Sequence, residues 1–398
     1  MIAEPAAKLR ILHLITSLDI GGAEMQLAKL LTRTDPARFR ASVVCLINVG
    51  SVGEKIRAQG IPVYSLGMKR SIPSLFAIWR LRRLVALERP EILQTWLYHA
   101  DLLGLMVGKL ARVPSLVWNV RCSWVDMEHY PKLSKLVLKI LARLSMIPDA
   151  VIVNSEAGRA VHLKIGYRPK RFEIIPNGFE LDRFRPNESA RQWLRRESQL
   201  SDDDVIIGLV ARYDPMKDHK TFLAAARIVG ERHGQAYFIL CGTSVDTNNV
   251  ELNGLIDLYE IRNRVRVLGV RSDMEIITAG FDIACSSSAF GEGFSNAIAE
   301  AMACGVPCAV TDVGDSSHIV GFTGKVVPPQ DPTGLADALC ELIEAGPGIR
   351  KELGEKARAR IAERYDIKAM AAKYDQLYLS LCKQTSDEIV ADTVHNNS

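Results

Sequence analysis

Short apolar runs of strand length alternate with helical patterns along nearly the whole chain. The alternation restarts after a turn-rich bridge, Pro176-Asn-Gly-Phe-Glu-Leu-Asp-Arg-Phe-Arg-Pro186. In the first half the runs are Arg10 to Ile15, Ala41 to Leu46, Val63 to Leu66, Ile92 to Thr95, Ser115 to Asn119, Ala150 to Asn154 and Glu173 to Ile175. In the second they are Val205 to Val210, Tyr237 to Cys241, Val265 to Leu268, Ile283 to Cys285 and Cys308 to Val310. Strands alternating with helices make a parallel sheet covered on both faces, so each half reads as a doubly wound α/β domain. A length of 398 residues also exceeds what one core usually serves. The expected domains are 1–187 and 188–366, followed by a last helix, about 367–384, and a disordered polar tail, 385–398.

Composition excludes several classes. The most apolar stretch, Trp96 to Trp118, is broken by His99, Asp101, Lys109 and Arg112, so no spanning helix is expected. The start does not read as a signal peptide, because Glu4 precedes an apolar run of only Ile11 to Ile15. Eight scattered cysteines read as reduced, buried thiols of a cytoplasmic protein, and Cys304 with Cys308 lacks the partners of a zinc site. Residues 1–187 hold 28 Lys+Arg against 15 Asp+Glu, and residues 188–398 hold 22 against 31. A basic half attracts phosphate, anionic lipid or nucleic acid, but no nucleic-acid-binding signature accompanies it.

The segment Phe290-Gly-Glu-Gly-Phe-Ser-Asn-Ala-Ile-Ala-Glu-Ala-Met-Ala-Cys-Gly-Val-Pro307 places Glu292 and Glu300 across the start of a helix, with seven residues between them. Its Gly-rich entry lets backbone approach a ligand, and the helix N–H groups, expected at Phe294 to Asn296, attract a phosphate. Two carboxylates flanking a diphosphate suit a nucleotide sugar. The spacing alone fits a surface loop before an Ala-rich helix equally well. Asp202-Asp-Asp204 matches the Asp-x-Asp of metal-dependent glycosyltransferases of another fold, yet it precedes a strand and reads as a loop cap.

That segment resembles the two-glutamate signature of retaining GT-B glycosyltransferases, specifically glycosyltransferase family 4. Four further blocks resemble the family in its order: Gly21-Gly-Ala-Glu24 after the first strand, Gln94 to Gly104, Ile174 to Phe179, and Gly208-Leu-Val-Ala-Arg-Tyr-Asp-Pro-Met-Lys-Asp218. The resemblance implies two Rossmann-like domains facing across a cleft, with the last helix crossing back to the first. It implies a transferase that moves a sugar from a nucleotide sugar, UDP-linked, with retention and without a required metal or cofactor. Same-face attack guided by the leaving phosphate is the usual proposal for retention.

Carried over to this chain, the resemblance assigns Glu292 and His99 to the transferred sugar, Glu300 to the ribose, and Arg212 and Lys217 to the diphosphate. Gly21, Gly22, Gly293, Phe294, Ser295 and Asn296 are expected to approach the donor through backbone. The backbone around Leu268 to Val270 is expected at the base, with uracil and guanine both open. Arg121 and Asn177 are candidates for acceptor contact. After Cys241 the chain departs from the family, with a longer, more polar turn, Gly242-Thr-Ser-Val-Asp-Thr-Asn-Asn249. Gln94 to Gly104 and Trp118 to Arg121 look most like members that assemble bacterial surface polysaccharides such as O-antigen, whose acceptor is an oligosaccharide on a lipid diphosphate.

Rival readings are a sugar-nucleotide epimerase of similar fold and a nucleotide-sugar-binding protein without turnover. A dinucleotide oxidoreductase is disfavoured, because no Gly-x-Gly-x-x-Gly follows a strand. Between Pro131 and Pro148, Lys132, Lys135, Lys139 and Arg143 form a basic stripe beside Leu133, Leu136, Val137, Ile140, Leu141 and Leu144. That pattern suits either an ordinary core-facing helix or one lying on an anionic membrane on the inner face of the cytoplasmic membrane.

Overall fold

The computed structural model describes residues 8–19, 21–68, 75–121 and 132–395. The chain forms two compact units: residues up to Gly178 together with those from Ile367 on, and Phe179–Asp366. The division falls at Gly178, ahead of the expected 187, because Phe179 already pairs with Asp366 and stacks on Phe294 inside the second unit.

The first unit runs β1 (Leu9–Ile15), α1 (Gly22–Arg33), β2 (Phe39–Cys45), α2 (Gly50–Arg57), β3 (Val63–Ser65), α3 (Leu75–Glu88) and β4 (Ile92–Trp96). It continues through α4 (Tyr98–Leu110), β5 (Ser115–Val120), α5 (Lys132–Leu144), β6 (Ala150–Val153), α6 (Glu156–Lys164) and β7 (Phe172–Ile174). All seven strands are parallel, in the order β3-β2-β1-β4-β5-β6-β7. Side chains alternate across the sheet: Ile11 and Ile15 meet α1 and α2, while Leu12 and Leu14 meet α3, α4 and α5.

The second unit runs α7 (Glu188–Ser198), β8 (Val205–Val210), α8 (His219–Arg232), β9 (Ala236–Cys241), α9 (Val250–Leu258), β10 (Val265–Val267) and α10 (Met274–Ala279). Then come β11 (Ile283–Ser286), α11 (Asn296–Ala303), β12 (Cys308–Thr311), α12 (Ser316–Val320), β13 (Lys325–Val327), α13 (Pro332–Glu344) and α14 (Gly346–Tyr365). Its parallel sheet is ordered β10-β9-β8-β11-β12-β13. The edge strand β13 escapes sequence reading because it is three residues long and half-exposed. Strand order reverses beside β1 and β4 in the first unit and beside β8 and β11 in the second. Ligands of doubly wound sheets bind at such points, outside the carboxyl ends of the strands.

The last helix, α15 (Ile367–His395), packs Tyr374, Tyr378 and Leu381 into the first unit's core. Tyr378 donates to Gln94 Oε1 at 2.6 Å, and Asn119 Nδ2 donates to the Tyr374 hydroxyl at 2.7 Å. The helix continues to His395, into the tail expected to be disordered. No Pro or Gly interrupts it there, so nothing local stops propagation.

Helix α5 turns Val137, Leu138, Leu141 and Ala142 into the core and leaves Leu136, Lys139 and Arg143 outside. Much of the apolar face proposed for a membrane is therefore spent on the sheet, the outcome that helical periodicity favours. The free thiols Cys45, Cys241, Cys285, Cys304, Cys308 and Cys340 are buried. Among the described residues no helix is long and apolar enough to cross a membrane, and no three His, Cys, Asp or Glu side chains cluster as metal ligands.

Candidate active site

Because β8 and β11 are neighbours, the loops that follow them meet at the second unit's switch point. The loop after β8 carries Arg212 and Asp214, followed by a single 3-10 turn, Pro215–Lys217. Asp214 caps that turn by accepting from the Met216 N–H at 2.9 Å and from Arg212 Nε at 3.1 Å. Burial pushes the Asp214 pKa up, but the Met216 N–H and the Arg212 and Lys217 cations outweigh it and hold the carboxylate below its usual range. Asp218 follows at φ +46° and caps α8 through the Thr221 N–H and hydroxyl, at 3.0 and 2.7 Å. These caps fix where Lys217 points.

The loop after β11 carries Ser288 and Glu292. Lys217 Nζ donates directly to Glu292 Oε2, which also accepts from the Ser288 hydroxyl at 3.1 Å. Ser288 is held in turn by its carbonyl, which accepts from Thr311 Oγ1 at 2.7 Å. Glu292 is buried and Lys217 nearly so, whereas the Arg212 side chain is 53% exposed. The sequence reading gave Lys217 to a diphosphate and Glu292 to a sugar. The fold joins them as one ion pair, so a ligand that engages either group shifts the other.

Two glycines make this loop possible. Gly291 lies at φ +77°, where a Cβ would stand 2.9 Å from the Met216 side chain. Gly314, after β12, lies at φ +63°, where a Cβ would fall 1.9 Å from the Glu292 carbonyl oxygen. Gly314→Ala is therefore expected to displace the Glu292 backbone and to cost turnover, with a stability loss of about 1 kcal/mol or more from the left-handed backbone alone. Circular dichroism melting and an activity assay on the same preparation check this; unchanged turnover would show that the loop tolerates the shift.

Helix α11 begins at Asn296, later than expected. Ser295 is its N-cap and makes no side-chain capping bond. Phe294 is core: its ring stacks on Phe179 at 5.8 Å and meets Tyr365 edge-on at 5.1 Å, so only its backbone is offered to a ligand. Glu300 is half-buried one turn into the helix. The loop from Leu268 to Val270 sits against the polar turn after β9, with the Gly269 N–H donating to the Val245 carbonyl at 2.8 Å and the Gly242 N–H to the Gly269 carbonyl at 2.9 Å. Val270 is exposed.

In the first unit the switch point holds Gly21, Gly22 and His99. Gly21 is the N-cap of α1 in extended backbone, with Gly22 the first helical residue. His99 is exposed in the first turn of α4, and the preceding Leu97 is held at φ +73°. A branched residue in that conformation is strained, and such strain gathers at functional turns. Periodicity offered no sign of it. Beneath, Thr95 Oγ1 donates to the fully buried Asp101 at 2.5 Å, and burial raises the Asp101 pKa well above the usual carboxylate range.

Arg121 and Asn177 meet each other rather than open solvent. Arg121 donates through Nε to Asn119 Oδ1 at 2.9 Å, through Nη1 to Asn177 Oδ1, and through Nη2 to the Tyr374 hydroxyl at 2.8 Å. The guanidinium also lies 5.0 Å over the Trp96 ring. This network ties β4, β5, the Asn177 turn and α15 together, a structural occupation not foreseen for either residue. Two of the five guanidinium N–H donors remain beyond these bonds. Asp214, Ser288, Thr311 and Gly314 were missed as well. Only Asp214, an Asp before Pro, carries a local signal, that of a cap with Pro at the first helical position.

Residues 20–183 match Glycosyltransferase Family 4, and residues 204–345 match Glycosyl transferases group 1. The UDP-Gal:alpha-D-GlcNAc-diphosphoundecaprenol alpha-1,3-galactosyltransferase of Escherichia coli is 23% identical over 336 residues, covering 82% of this chain and 85% of that protein. The D-inositol 3-phosphate glycosyltransferase of Corynebacterium jeikeium is 31% identical over 245 residues, 58% of each chain. Among solved structures, Anabaena HepE in complex with UDP superposes with a TM-score of 0.82 at 24% identity, covering 94% of this chain and 100% of that one. That likeness gives the GT-B fold.

Proposed function

The chain belongs to glycosyltransferase family 4 and is a nucleotide-sugar glycosyltransferase of GT-B fold, and from that premise we propose that it transfers a hexosyl group from a UDP-sugar, with retention, to a saccharide on a lipid diphosphate in bacterial surface polysaccharide assembly. The observation that carries the donor reading is the Lys217–Glu292 pair beside Arg212 at the switch point of the second unit. Departure of UDP builds negative charge on the β-phosphate. Fixed cations and the first turn of α11 stabilise that charge more as the glycosidic bond breaks than before. Arg212, the more exposed cation, meets the diphosphate first. As Lys217 turns from Glu292 toward phosphate, Glu292 is left to accept from sugar hydroxyls, and Glu300 accepts from the ribose.

In this reading the second unit holds the donor; Gly21, Gly22 and His99 lie at the first unit's own switch point. The acceptor assignment draws on the Escherichia coli relative, whose name specifies a diphosphoundecaprenol-linked sugar. The choice of uracil draws on that relative and on UDP in the Anabaena structure.

The deciding experiment is thermal unfolding with UDP, GDP and ADP, followed by incubation of UDP-sugars with a lipid-diphosphate saccharide and determination of the product's anomeric configuration. UDP at about 100 times its Kd is expected to stabilise the protein by about 2.7 kcal/mol. Transfer is expected to survive EDTA, because Arg212 and Lys217 supply the positive potential. Stabilisation by GDP alone would overturn the donor, an inverted product would overturn retention, and an epimer formed from donor alone would replace the transferase with an epimerase.

A further inference from the structure

We infer that a hollow at the amino ends of β11 and β12 binds a phosphate group carried by a small organic molecule. It lies within the second unit, at the end of the sheet away from the loops that hold Lys217 and Glu292: Asp282 directly precedes β11, and Val306 and Pro307 directly precede β12. Its volume is about 510 Å³, a size that suits a small organic ligand rather than one bare ion. Pro186, Phe281, Val306, Pro307 and Pro347 give it an apolar wall. Three of these are prolines, whose φ is fixed. Gly305, in the turn before β12, lies at φ +76°, and Gly354 of α14 comes so near that a Cβ there would fall 1.8 Å from the Gly305 carbonyl oxygen. The wall is therefore held in shape without a ligand.

The charges select the ligand. Arg191, Arg350 and Lys351 line the hollow, against Asp282 and Glu188. Asp282 is already satisfied, since it accepts from Arg191, Arg195 and the Ile206 N–H. Glu188 is exposed in the first turn of α7, where a carboxylate answers the helix dipole. Arg195, bonded to the same Asp282 and 3% exposed, keeps a buried Nη1 that has no hydrogen-bond partner among the described residues. Arg350 is 8% exposed, and its Nη1 closes α13 by donating to the Leu342 and Ile343 carbonyls at 3.1 and 2.9 Å. Three N–H donors of its fork, on Nε and Nη2, remain beyond those bonds. Burial lowers the Arg350 pKa, and repulsion from Arg191 and Arg195 works against the help of Asp282. Buried cations in excess of acids call for an anion. The start of α14 adds to the call, because its first turn holds no acid and its N-cap, Ala345, makes no side-chain capping bond. Pro347, Arg350 and Lys351, at i, i+3 and i+4, share the face of α14 that lines the hollow. Cations one turn into a helix oppose its dipole, and an anion seated beside them offsets that cost.

The test is thermal unfolding and calorimetric titration of the full chain with glucose 6-phosphate, inorganic phosphate and glucose, with ionic strength held constant by chloride. Glucose 6-phosphate should raise the melting temperature, inorganic phosphate should raise it less, and glucose should leave it unchanged. Lys351→Glu should weaken glucose 6-phosphate binding at least about tenfold, the loss expected from one hydrogen bond to a charged group. Lys351 is exposed, so this variant should keep its fold. Arg350→Gln should weaken binding as well and, without its bonds to the α13 carbonyls, should melt earlier in the free state. Arg212→Gln removes a cation of the donor site and should bind glucose 6-phosphate like wild type, which keeps this result separate from the UDP reading. No response by the wild type, or unchanged affinity in Lys351→Glu, would overturn the proposal. Loss in Arg212→Gln with retention in Lys351→Glu would overturn it by assigning the ligand to the donor site. An equal response to glucose would overturn the class of ligand, and an equal response to inorganic phosphate would overturn the part given to the apolar wall.

Discussion

Replacing Lys217 with Ala is expected to lower turnover by about two to three orders of magnitude, the scale seen when one preorganised donor to a developing anion is removed. The ammonium is the less exposed member of the cation pair that would meet the departing phosphate, and its bond to Glu292 holds it at the switch point until a ligand draws it away. The same bond brings a second effect. With Lys217 gone, the Ser288 hydroxyl is left, among the described residues, to donate to a carboxylate that is 8% exposed, so the second unit also loses stability. Adding Glu292→Gln to Lys217→Met separates the two, because it removes the stranded charge without restoring the cation. Thermal unfolding should recover in the double variant and transfer should not. Recovery of transfer along with stability would make Lys217 a structural residue only. Glu292→Gln alone should impair transfer while sparing UDP affinity, and Glu300→Ala should weaken UDP binding; the reverse pattern would exchange their ends of the donor.

Replacing Asp282 with Ala is expected to destabilise the second unit by about 3–5 kcal/mol, the usual loss when one partner of a buried ion pair is deleted. Asp282, at the foot of β11, accepts from Arg195 at 2.7 Å, from Arg191 at 2.5 Å and from the Ile206 N–H of β8 at 2.9 Å. The Arg195 and Asp282 side chains are only 4% and 2% exposed. Deletion leaves a guanidinium out of water with one carbonyl partner, Asp204, at 3.0 Å. It also loosens β8 against β11, the pair whose far ends carry Lys217 and Glu292. Asp282→Asn should lose less, since its amide oxygen can still accept from Ile206. Urea unfolding followed by probes in each unit measures this, because a two-unit chain need not unfold in one step. A loss below about 1 kcal/mol would mean that the arginines find water or new partners.

Much of the fold was legible because its signals are local. A strand buried on both faces is a short apolar run, and the helices between strands announce themselves by their own period, so both sheets could be read from the chain. The family resemblance then singled out Arg212, Lys217, Glu292 and His99, and the structure sets them in the segments that follow β8, β11 and β4. What the chain by itself could not determine was which strand ends are neighbours. Lys217 and Glu292, 75 positions apart, pair because β11 lies beside β8. Arg121 is tied to Tyr374, 253 positions away, because α15 returns to the first unit. Periodicity likewise assigns a helix an apolar face without saying what covers it. In α5 the sheet claims most of that face; in α3 the sheet claims one side and leaves Phe76 and Trp79 outside. Spacing along the chain encodes local conformation, whereas strand order and burial arise from contacts between distant segments, and only the tertiary structure decides those.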